Sequence, residues 1–196
     1  AGAKKRVGKV LLLPAVEDGI EILERVAERS PGSDRAELAL LAIADHYFRA
    51  TDWSEAAAQY DAFIKLYPKS PRATYARLRA AEAFHRAYRG PEYDVTPLNE
   101  AEQRYKLFAD AFPEQAVEAH VDGILKRIRA QKAAHELAVA EFYQRTGRTA
   151  AANSYYRLVA KEYPDTPSGR SAAARAGEPL PPAPADGPVR KEGVET

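Results

Sequence analysis

Four prolines, each preceded at fixed distances by a small residue and a bulky one, are the feature that most constrains this chain. Two of them lie in near copies, "FIKLYPKSPRA" and "LVAKEYPDTPSG". Twelve positions before each proline stands a small residue, and eight positions before it stands a leucine or tyrosine. The prolines are Pro31, Pro68, Pro113 and Pro164; the small residues Gly19, Ala56, Ala101 and Ala152; the bulky residues Leu23, Tyr60, Tyr105 and Tyr156. Helices usually stop before proline, so each copy predicts the second helix of a hairpin.

A second set of segments repeats upstream of these helices. "LAIADHYFRA", "LRAAEAFHRA" and "LAVAEFYQRT" align without gaps. They supply small residues and, three positions later, aromatic residues: Ala44, Ala81 and Ala140, then Tyr47, Phe84 and Tyr143. Small residues let the two helices of a hairpin approach closely, and aromatic residues fill the space between hairpins. This is the tetratricopeptide pattern, and it predicts an all-α tetratricopeptide-repeat superhelix of about four hairpins.

Capping residues and prolines place the helix ends. Ser-Pro or Thr-Pro pairs at 70–71, 96–97 and 166–167 predict an N-cap followed by proline at the first helical position. Asp34 with Glu37 and Asp52 with Glu55 have the spacing of a capping box. The predicted helices lie near 16–29, 34–50, 53–67, 71–89, 97–112, 115–146, 149–163 and 167–176.

Two insertions interrupt the regular spacing. Phe84 and Ala101 are 17 residues apart where the other repeats have 9, so "GPEYDVTP" enlarges one turn by 8 residues. The interval from Pro113 to Tyr143 exceeds its counterparts by 14 residues, or about four helical turns. We therefore predict one long helix over 115–146, about 45 Å in length, with an apolar stripe of Val117, Val121, Ile124 and Ile128.

Composition bounds the remaining possibilities. Of 196 residues 45% are hydrophobic, none is cysteine or methionine, and the net charge is +1. Without cysteine, disulfides and thiolate zinc sites are excluded. A net charge of +1 is too small to attract the chain to nucleic acid. The first residue is alanine, which suggests a processed chain or a fragment. We expect three parts: a poorly structured or truncated segment at 1–15, a repeat domain at 16–177, and a Pro-rich disordered tail at 178–196.

No catalytic constellation stands out. The four histidines have no metal-binding spacing, and there is no nucleophile elbow or phosphate-binding loop. We expect a protein without enzymatic activity, cofactor or metal.

Three aligned helices carry an acidic residue followed by arginine four positions later. Two interpretations remain open: a local ion pair worth a few tenths of a kcal/mol, or a ladder of polar groups that binds an extended peptide on the concave face. With their neighbours, the candidate partner-binding residues are Asp45, Phe48, Arg49, Glu82, His85, Arg86, Glu141, Gln144 and Arg145.

A basic cluster lies within the predicted long helix. It either docks an acidic partner or keeps an exposed helix soluble. Its residues are Lys126, Arg127, Arg129 and Lys132.

Several of these segments together resemble a known family. They are "AAEAFHRAYRGPEYDVTPLNEAEQRYKLFADAFPE" and "ILKRIRAQKAAHELAVAEFYQRTGRTAAANSYYRLVAKEYPDTP". The chain resembles the BamD (YfiO) family of tetratricopeptide lipoproteins of the outer-membrane β-barrel assembly machine. That family similarly has a longer loop with an Asp-x-Thr-like element, a long helix running into an "AEFY" segment, and a closing "YPDT". This chain departs from it at Val95, where glutamine is common, and at Pro14, which interrupts the first hairpin.

The resemblance implies a scaffold at the periplasmic face of the bacterial outer membrane. N-terminal repeats would bind unfolded outer-membrane protein segments, and C-terminal repeats would dock the barrel-forming subunit. Membrane attachment would be through an N-terminal lipid anchor on a cysteine, which these residues do not include. Two alternatives stay open: another periplasmic tetratricopeptide adaptor of the cell-division coordinator type, and a regulatory tetratricopeptide domain cut from a larger enzyme.

Overall fold

A computed structural model describes residues 16–177 of this protein, and among them it contains nine α-helices and no strand. The predicted all-α fold class is confirmed, whereas the predictions for 1–15 and 178–196 lie outside the described residues. The helices are α1 (Val16–Arg29), α2 (Asp34–Arg49), α3 (Trp53–Leu66), α4 (Ala73–Ala87), α5 (Thr96–Ala111), α6 (Pro113–Glu118), α7 (Val121–Arg145), α8 (Thr149–Glu162) and α9 (Pro167–Ala176).

The chain divides into two compact units, one ending at Ala80 and one beginning at Ala81. In the first unit α2 packs against α1 and α3. In the second unit α7 packs against α5, α8 and α9. The division falls within α4, so each unit contains its own set of helix contacts.

The repeat residues form the core of these hairpins, as the sequence predicts. Six alanines of the pattern are at most 1% exposed: Ala44, Ala56, Ala81, Ala101, Ala140 and Ala152. The tyrosines at the bulky positions, Tyr60, Tyr105 and Tyr156, are at most 2% exposed. Alanine at the crossing points lets helix backbones approach, and each tyrosine then fills the adjacent volume.

Each helix that precedes a repeat proline ends two residues before it. The last residues are Arg29, Leu66, Ala111 and Glu162. The residue before proline is biased away from helical backbone angles, so the helix has already ended there. These four positions confirm the helix ends that the prolines predict.

Two of the predicted N-caps are confirmed. The Thr166 hydroxyl accepts a hydrogen bond from the Gly169 N–H at 3.0 Å. The Asp52 carboxylate accepts one from the Glu55 N–H at 3.2 Å. Both satisfy backbone donors that have no partner within the first helical turn.

The predicted capping box at Asp34 is wrong, because Ser33 caps α2 by accepting the N–H of Ala36 at 3.1 Å. The two predicted carboxylates serve contacts distant in sequence. Asp34 accepts from the Arg72 guanidinium at 2.7 Å. Glu37 accepts from the same guanidinium at 3.1 Å and from the Ser70 hydroxyl at 2.6 Å.

Two other helix starts differ from the prediction. The Ser70 hydroxyl accepts the N–H of Arg72 at 3.1 Å, and α4 begins later, at Ala73. Thr96 is the first residue of α5 rather than its N-cap, which is Val95 and makes no side-chain cap hydrogen bond. The carboxylate of Asp94 accepts from the N–H and the hydroxyl of Thr96 at 3.0 and 2.8 Å. The hydrogen bond from the Thr96 N–H, and after it the one from the Thr96 hydroxyl, lowers the pKa of Asp94 below its usual value. Short acidic and hydroxyl side chains readily bond backbone two residues onward.

The predicted continuous helix over 115–146 is wrong in one respect. It is broken at His120, whose φ of 53° is left-handed, and α7 begins at Val121. Ala116 and Val121 are both buried, at 7% and 1% exposure. On a continuous helix five residues differ in direction by about 140°, so the break lets both face the core. It also leaves Val117 75% exposed, outside the predicted stripe.

Candidate protein-binding surfaces

In each hairpin, a side chain of the first helix contacts the buried tyrosine of the second helix. These side chains lie four positions after the small residues Ala44, Ala81 and Ala140. In the first unit the rings of Phe48 and Tyr60 lie 6.3 Å apart, edge to face. In the second unit His85 and Tyr105 have the same spacing, and the Tyr156 hydroxyl donates to the Gln144 side-chain oxygen. Three predicted partner-binding residues, Phe48, His85 and Gln144, therefore also hold their own hairpins together.

The acidic residues of the three predicted pairs have three different environments. Glu82 and Arg86 form the local ion pair, with an Nη–O distance of 2.7 Å. Asp45 accepts from two tyrosine hydroxyls, while Arg49 donates to the Asp45 backbone carbonyl at 3.1 Å. The same spacing in sequence thus produces an ion pair between side chains in α4, and in α2 a hydrogen bond from arginine to the backbone.

The third pair is replaced by a contact from α9. Glu141 forms an ion pair with Arg175, whose guanidinium also reaches the Tyr156 hydroxyl at 3.4 Å. Arg145 is exposed, and together with Glu141, Gln144 and Arg175 it lines a shallow cleft. Sequence reasoning missed Arg175, because nothing in a ten-residue helix shows that it faces Glu141 34 positions earlier.

Asp45 lies in a network of aromatic and cationic groups in the first unit. Tyr60 donates to it at 2.5 Å and Tyr75 at 2.9 Å. Burial, then the hydrogen bond to Asp45, raises the pKa of both tyrosines above the usual range, so both hydroxyls stay protonated donors. The guanidinium of Arg79 lies over the Phe48 ring, 3.4 Å from its centroid, where cations are attracted to the aromatic face.

His85 is an uncharged group at neutral pH. Burial lowers its pKa below the usual value, which is about 6.5 for an exposed histidine. Its Nε2 lies 2.8 Å from the Gln131 side-chain oxygen, which accepts only, so Nε2 carries the proton. Any contact that His85 makes with a partner is therefore through a neutral ring.

Three of the four residues in the predicted basic cluster on α7 have acidic partners within the chain. Lys126 pairs with Asp122 at 2.9 Å, and Lys132 pairs with Glu102 at 2.7 Å. The third, Arg129, is described below.

Arg129 ties α7 to the segment that follows α8. Its Nε donates to both carboxylate oxygens of Asp165, at 3.0 and 3.1 Å, and its Nη2 donates to the Glu162 carbonyl. Its guanidinium also lies 5.0 Å from the centre of the Tyr163 ring. The "YPDT" segment is thus bound to α7 through Arg129, whereas Arg127 on the same helix is exposed.

The inserted loop borders a groove on α7 that sequence reasoning did not predict. His135 Nδ1 lies 2.9 Å from the Pro91 carbonyl oxygen, and Arg89 lies over the Tyr93 ring at 4.4 Å. The groove has a volume of about 400 Å³ and is lined by Pro91, Glu92, His135, Val139, Phe142 and Tyr143. Phe142 is 50% exposed there, which is unusual for a phenylalanine.

Two further properties concern residues 16–177. No group of three or more acidic or histidine side chains within this range has an arrangement that would hold a metal ion. None of the helices described is both long and apolar enough to cross a bilayer.

Comparison with known proteins assigns the family. Residues 12–178 match the model of the YfiO family, described as outer membrane lipoprotein. The chain is similar to the outer membrane protein assembly factor BamD of Haemophilus influenzae, with 26% identity over 160 residues, covering 76% of this chain and 61% of that protein. It is also similar to BamD of Pasteurella multocida, with 26% identity over 160 residues, covering 75% and 60%.

A third relative is BamD of Caulobacter vibrioides, 24% identical over 156 residues, with 76% of this chain and 49% of that protein covered. The chain thus spans between about half and three fifths of the length of these relatives. Since the family model covers all of the helices described above, this protein belongs to the YfiO family of outer membrane lipoproteins.

Proposed function

We propose that this chain is a non-enzymatic scaffold of outer-membrane protein assembly. It binds segments of unfolded outer-membrane proteins and the barrel-forming subunit at the periplasmic face of the outer membrane. The observation that carries the proposal is the family match over residues 12–178, together with the assembly-factor names of the three relatives. A repeat fold of helical hairpins suits this role, because its stacked units present extended surfaces to other proteins.

Each unit has its own exposed polar groups for the proposed peptide binding. In the first unit these are Arg49, at the end of α2, and the partly exposed Asp45. In the second unit they are Arg86, Gln144 and Arg145. Arginine donates to backbone carbonyls, and carboxylate and amide oxygens accept from backbone N–H groups. An unfolded strand offers both, so the groups of either unit can bind such a strand.

The basic cluster on α7 is the proposed docking surface for the barrel-forming subunit. The proposal includes Lys126, Arg127, Arg129 and Lys132. Three of these already neutralise an acidic group of this chain, so the exposed Arg127 contributes most of the attraction to an acidic partner.

The peptide-binding proposal is tested by charge reversal. We expect Arg49→Glu with Arg86→Glu to lower affinity for peptides from outer-membrane β-barrel strands by at least about tenfold, since each lost charged hydrogen bond costs about 1.5–3 kcal/mol. Binding is measured by fluorescence anisotropy of the labelled peptide. The matched control is Arg35→Glu with Lys161→Glu, two other exposed positions with the same charge change.

Unchanged melting with unchanged peptide affinity in the Arg49/Arg86 variant would reject these residues as the binding surface. An equal loss in the control variant would show a general charge effect instead. Docking is tested separately, by co-purification of the Arg127→Glu chain with the periplasmic domains of the barrel-forming subunit. Undiminished recovery would reject the docking role of Arg127.

A further inference from the structure

The groove beside the inserted loop has the chemistry of a proline-binding surface. Phe142 is half exposed in it, and Pro91 also lines it. Tyr143 forms one wall and is held by stacking on Tyr155, with ring centres 5.3 Å apart and 24° between the planes. A fixed, exposed aromatic groove is the kind of surface on which proline-rich segments dock in the polyproline II conformation.

The described part of the chain ends beside this groove. The last helix, α9, ends at Ala176, and Gly177 turns the backbone with a φ of 70°. Arg175, in the last turn, forms an ion pair with Glu141, which also lines the groove. The last turn of α9 therefore lies next to the end of the groove formed by Glu141 and Arg145.

Those residues include the sequence PLPPAP at 179–184. We infer that this segment docks in the groove of its own chain. Six residues of polyproline II extend about 19 Å, and the groove-lining part of α7, from His135 to Arg145, is about 15 Å long. The two lengths match closely enough for the proline rings to cover Phe142.

Charge favours the same placement. Glu178 follows Gly177 directly, and Arg145 is an exposed cation at that end of the groove. Proline-rich chain is already restricted in the unbound state, so docking it costs less conformational entropy than docking an ordinary segment. This inference does not depend on the proposed function. If both hold, the docked segment covers Glu141 and Arg145, and a partner that needs them must first displace it, which lowers its apparent affinity.

The inference is tested with the full chain and a spin label. The sequence contains no cysteine, so Ala185→Cys gives a single labelling site directly after PLPPAP. We expect the label to remove most of the amide signal of Val139 and Phe142 in the isotope-labelled protein. In the matched control, Pro179, Pro181, Pro182 and Pro184 are all replaced by serine. The control keeps the tether and loses the polyproline conformation, so these signals should return.

Three results would overturn the inference. One is the absence of any loss at Val139 and Phe142, which would leave the groove free for another protein. A second is an equal loss with the serine segment, because tethering alone then explains it. The third comes from mixing spin-labelled chains with separate isotope-labelled chains: a loss in that mixture would show that a second copy provides the segment.

Discussion

At the scale of single residues, Gly169 permits the close contact between α9 and the end of α8. A Cβ added there would lie 1.8 Å from the Tyr163 carbonyl oxygen and 2.6 Å from its carbonyl carbon. Both atoms belong to the backbone, so the helix itself would have to move. We expect Gly169→Ala to destabilise the protein by at least about 2 kcal/mol, as strain in a packed region does, measured by urea unfolding.

Gly123 provides the matched control for that substitution. It lies in the first turn of α7, is exposed, and has no atom within 4 Å of an added Cβ. Replacing it with alanine should raise the free energy of unfolding by up to about 1 kcal/mol through helix propensity. If Gly169→Ala were as stable as Gly123→Ala, the close contact with Tyr163 would be wrong.

The pair between Arg129 and Asp165 gives a pH-dependent prediction. The hydrogen bond from Arg129 lowers the pKa of Asp165 below its usual value. The ion pair therefore contributes its full stability above the pKa of Asp165 in the unfolded chain, about 3.9. This contribution is lost as the pH falls through the lower pKa that Asp165 has in the folded protein. Both side chains are about half exposed, so a double-mutant cycle with Arg129→Met and Asp165→Asn should give at most about 1 kcal/mol of coupling at pH 7.

The coupling should shrink as the pH is lowered through the folded pKa of Asp165, because the carboxylate then gains a proton. Coupling that stayed unchanged as the pH was lowered would contradict an ionic contact between the two side chains.

At the scale of helices, the break at His120 can be tested by substitution. Replacing His120 with glycine should change the free energy of unfolding in opposite directions for a broken and for a continuous helix. His120 has left-handed backbone angles, which cost a residue with a side chain about 1–2 kcal/mol and cost glycine little. We expect His120→Gly to raise the free energy of unfolding by up to about 1 kcal/mol. On an unbroken helix the same change would lower it by about 0.3–0.5 kcal/mol.

Chemical unfolding of His120→Gly and His120→Val distinguishes the two cases. Valine is strongly disfavoured in left-handed conformation, so it should destabilise the broken arrangement. A His120→Gly protein less stable than the original would indicate a continuous helix from α6 into α7.

At the scale of the whole molecule, stability should be local to each unit. Repeat proteins are stabilised by terms within repeats and between neighbours. Val159 is fully buried in the cluster formed by α7, α8 and α9. We expect Val159→Ala to lose about 2 kcal/mol and to speed amide exchange mainly in those three helices, as measured by hydrogen exchange with mass spectrometry.

Ile43 provides the reciprocal substitution in the first unit, where it is 2% exposed in α2. Ile43→Ala should speed exchange mainly in α1, α2 and α3. Equal acceleration throughout the described helices in either variant would mean that the chain unfolds as one cooperative body.

The amino-acid sequence alone determined the positions that become buried. The spacing of small and aromatic residues follows from helical periodicity and from how closely two helices approach, and both are local properties. For this reason Ala44, Ala56 and Tyr60 could be placed in the core, and the ends of α3 and α8 could be placed beside their prolines. The segments that contain this pattern and the inserted loop resemble the family that the match over residues 12–178 shows.

Only the tertiary structure decided which partners the polar groups have. Glu141 follows the same acid-to-arginine spacing as Glu82, yet it pairs with Arg175 of α9, and Arg129 meets Asp165 36 residues later. A charged side chain has several acceptable partners of similar energy, and which one it meets depends on helices brought together by the core. The break at His120 has the same origin, since Ala116 and Val121 both require burial and the backbone between them adapts.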